Sequence, residues 1–149
     1  MKDDLTGDSR HLVDLLTTLL SSTFRQILWK QALELDLTYS QAQVLFHLAR
    51  NPNSPMTDVA RTFGITLPAV TQVVDRLESK RFVERTSSRR DRRQVLLTLT
   101  KSGQALVRDL EASQINGLTE VLQRLQPGER KEVIRGLERL VSAARGDTG

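Results

Sequence analysis

A mainly α fold with one small β-hairpin, α+β in class, is predicted by three features of this sequence. Apolar residues recur every three or four positions over most of the chain, as amphipathic helices require. Between Phe82 and Thr100 the period falls to two, as in strands. Capping residues and proline or glycine breaks punctuate the helical stretches at regular places.

The first helix is predicted from Ser9 to about Glu34, on Leu12, Leu15, Leu16, Leu19, Leu20, Phe24, Ile27 and Leu28, with Asp8 or Ser9 as cap. Thr38 and Gln41 have capping-box spacing and open a second helix with Val44, Leu45 and Leu48 inside. The run Asn51-Pro52-Asn53-Ser54-Pro55 ends it. Thr57 is expected to cap a short helix that carries Val59, Ala60 and Phe63 and stops at Gly64. Thr66 caps the next, with Pro68 in the tolerated first turn and Val70, Val73, Val74 and Leu77 facing inward. Two strands follow, Phe82 to Thr86 and Gln94 to Thr100, joined by a polar loop too long for a two-residue turn. Thr100 caps a long helix with Leu106, Val107, Leu110, Leu118, Val121, Leu122 and Leu125. After Pro127-Gly128 a last helix carries Val133, Ile134, Leu137, Leu140 and Val141.

Charge narrows the function. The net charge is +4, but from Lys80 to Lys101 eight basic residues stand against two acidic ones, whereas Met1 to Asp36 carries six acidic against four basic. Such localisation points to an anionic partner, above all nucleic acid. The chain of 149 residues has no cysteine, which excludes disulfides, thiolate metal sites and thiol redox switching. His11 and His47 lack metal-ligand spacing, and no glycine-rich phosphate loop, nucleophile elbow or histidine–carboxylate arrangement suggests an enzyme. Asp75 and Glu78, three apart on one helix, read as surface charges. No apolar run reaches the roughly 18 residues of a membrane span, and the polar start MKDDLTGDSR is unlike a signal peptide. No cofactor, metal or membrane partner is expected, and the location expected is cytoplasmic.

Two short helices joined at Gly64 and followed by a basic hairpin make a winged helix-turn-helix, in which the second helix reads the DNA major groove. Off its valine stripe that helix shows Pro68, Ala69, Thr71, Gln72 and Arg76. Pro68 and Ala69 suit a thymine methyl, Gln72 suits adenine, and Thr66, Thr71, Arg76 and the N–H groups at the helix start suit the groove edge and phosphates. On the wing, Arg89, Arg90, Arg92 and Arg93 surround Asp91. Arginine favours a narrow minor groove, and Asp91 is placed to orient the Arg93 guanidinium.

Arg85, Asp91-Arg92-Arg93, Leu99-Thr100 and Gly103, in that spacing, resemble the wing signature of the multiple-antibiotic-resistance regulator (MarR) family. The run from Met56 to Glu78 is similar to the helix-turn-helix of that family, and helix order agrees along essentially the whole chain. One departure is Arg81-Phe82, where the family often has glycine before the first strand. The resemblance implies a homodimer that binds a pseudo-palindromic operator in double-stranded DNA, most often as a repressor released by a small-molecule effector. It implies Arg93 as the minor-groove arginine and Asp91 as its positioner. It also implies an effector pocket, which Phe24, Trp29 and Tyr39 could line. The expected division is an N-terminal dimerisation helix over 1–36, the DNA-binding domain over 37–100 and C-terminal dimerisation helices over 101–149. The terminal helices carry more leucine and valine than one small core can bury, which also favours a dimer. The rival readings are a non-specific architectural DNA binder and a winged-helix protein-interaction module.

Overall fold

A computed structural model describes residues 4–146, the side chains at 22–24 excepted. Two compact units, Met1–Gln114 and Ile115–Gly149, make up the chain. The first begins with α1 (Leu5–Leu20), whose N-terminus is closed by Asp4 accepting the Gly7 N–H at 3.0 Å, so the cap is neither Asp8 nor Ser9. The single helix predicted to Glu34 is in fact two. Ser21 is extended (φ −67°, ψ −175°), and α2 (Ser22–Glu34) starts after it. The Ser21 hydroxyl donates to the Thr18 carbonyl and the Thr18 hydroxyl to that of Asp14, at 2.8 Å for the latter. Such side-chain bonds offer the backbone an alternative to helix continuation.

Helix α3 (Tyr39–Arg50) opens with the predicted capping box. The Gln41 N–H donates to Thr38 Oγ1 at 3.2 Å, and the Thr38 N–H to Gln41 Oε1 at 3.0 Å. Val44, Leu45 and Leu48 are buried as expected, with Ala42 and Phe46 beside them. The Asn51–Pro55 turn hides a short strand, β1 (Ser54–Pro55), whose Ser54 Oγ donates to the Asn51 carbonyl at 2.7 Å. Helix α4 (Met56–Phe63) follows directly on Pro55, without a side-chain cap, so Thr57 does not play that role. Proline presets the backbone at a helix entry and leaves Thr57 already inside the first turn. Gly64 ends α4 at φ +62°, a left-handed conformation that glycine adopts without cost to a Cβ.

Helix α5 (Leu67–Ser79) begins at Thr66, whose Oγ1 accepts the Ala69 N–H at 3.4 Å. Val70, Val74 and Leu77 are fully buried, and Val73 packs partly against them. Strands β2 (Val83–Ser87) and β3 (Val95–Leu99) pair antiparallel from Val83↔Leu99 to Ser87↔Val95, and β1 adds to the other edge of β3. Leu97 and Leu99 lie in the core, but Val95 is exposed because the hairpin runs out past the core there. Helix α6 (Lys101–Leu122) starts with Thr100 Oγ1 accepting the Gly103 N–H at 3.0 Å. Gly103 is a requirement of packing, since a Cβ there would sit 2.0 Å from the Phe82 carbonyl oxygen.

The second unit contains the end of α6 and α7 (Pro127–Arg145). Pro127 occupies the first turn of α7, and the Gln126 N–H donates to Glu129 Oε2 at 2.7 Å. No residue of α7 is buried. No helix among the described residues is long and apolar enough to cross a membrane.

Candidate nucleic-acid interface

The candidate reading element is α4, the Gly64 turn and α5. Burial of Val59, Val70, Val74 and Leu77 fixes one side of the pair, which leaves Pro68, Gln72 and Arg76 exposed on α5 and Ala69 and Thr71 half-buried at its flanks. Thr66 is committed to its cap. The Thr71 hydroxyl donates to the Leu67 carbonyl at 2.9 Å, so its proton is already used within the helix. Gln72 and Arg76 border a shallow cavity of about 210 Å³ with Thr38, Ser40, Gln41 and Val73.

The hairpin is tied to α5 by a contact that charge pattern alone did not disclose. Arg85, on β2, reaches Asp75 at 2.6 Å with one nitrogen and Glu78 with the other. The two carboxylates read as surface charges are therefore a clamp. Burial works against the Arg85 charge, but the paired carboxylates outweigh it and raise the guanidinium pKa above its ordinary value. Charge-assisted bonds from two nitrogens of one planar guanidinium to two carboxylates hold orientation as well as distance. The alternation of β2 put Arg85 on one face with Val83. That signal places it toward the core side without naming a partner.

At the wing tip the turn is built from side-chain-to-backbone bonds. Ser88, buried, accepts the N–H groups of Arg90 at 3.2 Å and Asp91 at 3.4 Å, and its own N–H donates to the Gln94 carbonyl at 3.0 Å. Asp91 accepts the backbone N–H of Arg93 at 3.0 Å. Asp91 thus shapes the loop through its backbone and does not hold the Arg93 guanidinium, contrary to the expected bond. The geometry is that of an Asx turn, which a short carboxylate two residues upstream forms readily. Arg89, Arg90, Arg92 and Arg93 are all exposed, and none forms an ion pair among the described residues.

The turn before β2 carries the departure noted in the sequence. Arg81 takes φ +62°, the left-handed region where glycine is at ease, and its carbonyl accepts the hydroxyls of Thr100 and Ser102, each at 2.7 Å. Beside it, Lys80 Nζ donates to the carbonyls of Leu35 at 3.2 Å and Asp36 at 3.1 Å, linking the end of α5 to the end of α2.

Trp29 and Tyr39 meet edge to face, with ring centroids 5.0 Å apart, and line a cavity of about 240 Å³ with Leu20, Arg25 and Leu28. The side chain of Phe24 lies outside the described residues.

The MarR family model matches residues 35–94, from the end of α2 to the far side of the wing. YfiV of Bacillus subtilis, described as an uncharacterized HTH-type transcriptional regulator, is 33% identical over 111 residues, 74% of this chain and 69% of YfiV. The chain belongs to the MarR family. It is a MarR-family transcriptional regulator with a DNA-binding fold, and not an enzyme. Solved structures agree on the fold. MepR of Staphylococcus aureus, described as a transcription regulator of the multidrug efflux pump MepA, is 21% identical, with 88% of this chain and 97% of MepR covered and a TM-score of 0.75. A MepR variant bound to an oligodeoxyribonucleotide is 22% identical, covering 89% and 97%, with a TM-score of 0.66.

Proposed function

We propose that this MarR-family chain acts as a homodimeric repressor that binds a pseudo-palindromic operator and leaves it when a small molecule binds. The observation that carries the reading is the wing: four exposed arginines on a loop whose base is clamped to α5 by Arg85. Residues 37–100 serve as the DNA-binding domain, with 1–36 and 101–149 as the dimerisation region. On α5, Pro68, Ala69, Gln72 and Arg76 meet bases and phosphates, with Thr66 and Thr71 at their edge. Arg89 and Arg90 meet the backbone, and Arg93 enters the minor groove.

Dimerisation is supported by the exposed apolar side chains of Leu12, Leu15 and Leu19 on α1 and of Val133, Ile134 and Leu137 on α7. Two reading helices held about 34–36 Å apart would then address two half-sites together. The cavity beside Trp29 and Tyr39 is the candidate effector site, with Arg25 at hand for an anionic group. Its neighbour α2 is joined to the end of α5 through Lys80, which offers a route from effector to reading helix.

The test is selection of duplexes from a random pool, followed by affinity measurements on the native chain and on Arg93→Ala. A regulator favours its selected site by about 10³-fold or more over random duplex. Arg93→Ala should lower that affinity by about 1–3 kcal/mol while the dimer persists. Equal affinity for all sequences would make the chain an architectural binder, and no affinity would end the DNA reading altogether.

A further inference from the structure

At the start of α5 the sequence offers Pro68 and Ala69 to a thymine methyl, and Thr71 and Gln72 as hydrogen-bonding groups. The structure redistributes those groups. Thr66 Oγ1 is turned to the Ala69 N–H and the Thr71 hydroxyl proton is given to the Leu67 carbonyl. Beside the exposed Thr66, which keeps its hydroxyl proton, the outward side chains at this end are apolar. Ile65 is 37% exposed and Leu67 45%, although both are large aliphatic side chains, and Pro68 is exposed between Leu67 and the half-buried Ala69. Gln72 is the first side chain after them with an uncommitted amide.

Resting on the reading of α5 as the groove-entering helix, we infer that its tip recognises the 5-methyl group of thymine through Ile65, Leu67, Pro68 and Ala69. The occupant follows from chemistry. In the major groove the thymine methyl is the one apolar group that a base edge presents, and cytosine shows only a hydrogen at that carbon. Both kinds of base pair present three polar groups there, so only the methyl contact separates A·T from G·C beneath aliphatic side chains. Cationic groups accompany these side chains: Arg76 is exposed farther along the same helix, and the clamped wing carries the other arginines. A phosphate-neutralising surroundings with a methyl-sized apolar tip fits duplex DNA with thymine at the centre of each half-site contact.

The experiment uses the full chain and the duplex it selects from a random pool. Affinity is measured at fixed salt for that duplex and for the same duplex with deoxyuridine in place of thymidine within the half-sites, which removes the methyl and leaves base pairing intact. Burying one methyl is worth roughly fourfold in affinity, so two contacted methyls should separate the duplexes by roughly 15-fold. Leu67→Ser alone, and Ile65→Ser with Leu67→Ser, should bring that ratio toward unity. Both positions are exposed, and a melting curve at the native temperature checks that the variants are folded. Equal binding of the thymidine and deoxyuridine duplexes by the native chain overturns this inference and leaves the regulator reading standing. Failure to select any duplex overturns both.

Discussion

The reading head and the terminal helices are written in the same apolar language, yet they end differently. Between α3 and β3, Leu45, Leu48, Val59, Val70, Val74, Leu77 and Leu97 are fully buried within one chain. Helices α1 and α7 carry comparable stripes, and neither has a buried residue. An amphipathic period states that a face is to be covered and is silent on what covers it. The first region is complete within its own chain. The second leaves its apolar side chains exposed, which is why the proposed dimer concerns α1 and α7 and not the wing.

The contrast can be broken most severely on α7. Ile134→Glu with Leu137→Glu should raise the dimer dissociation constant by at least about 100-fold, roughly 3 kcal/mol, because unpaired carboxylates would be buried at the interface. Sedimentation equilibrium would read the change, and an unaltered dimer would remove α7 from the interface. Where α6 packs on the reading head, Gly103→Ala should cost about 2–3 kcal/mol in urea unfolding, since the added methyl meets the Phe82 carbonyl, a backbone atom that cannot swing aside. Unchanged stability would mean that α6 can shift freely against the sheet.

Arg81→Gly should act in the opposite direction. It relieves a left-handed arginine and raises stability by about 1 kcal/mol, less the greater entropy of glycine in the unfolded chain. A fall in melting temperature would show that the arginine side chain compensates for its backbone.

The smallest effect expected is a pH slope from His47. Burial lowers its pKa below the ordinary 6.5, with Asp58 partly opposing, and the ring stacks edge to face on Phe63 at 5.6 Å. A depressed value means that the unfolded chain takes up the proton first. Its stabilising contribution is therefore complete above pH 6.5 and is lost as pH falls through the lower folded value. His47→Gln should flatten the stability profile over that window, and an identical slope in the variant would assign it to another group.

Much of the fold could be read from single residues with local consequences. The Thr38–Gln41 box, Gly64, Thr66 with Pro68, and Thr100 each satisfy or release backbone groups within four positions, so their effect travels little beyond what a sequence displays. The exposed wing arginines were legible for the same reason. What escaped was either too short or too distant. Ser21 breaks a helix without interrupting its leucine period, and β1 is two residues long inside a segment that looks like a turn. Thr57 and Asp8 have the chemistry of caps but lie one place or more inside their helices. The Arg85 clamp, the Lys80 bridge and the Ser88 turn join residues that no periodicity relates.

By itself the sequence determined the order of helices and hairpin, the basic wing and the inward face of α5, because burial periodicity and capping are local properties of the chain. Only the tertiary structure decided that Lys80 bridges to the end of α2 and that Arg81 stands in a glycine conformation. It alone also made Asp75 and Glu78 the seat of the wing. These outcomes depend on which atoms meet across the fold, and a charge or a hydroxyl has the same letter whether it faces water or another residue.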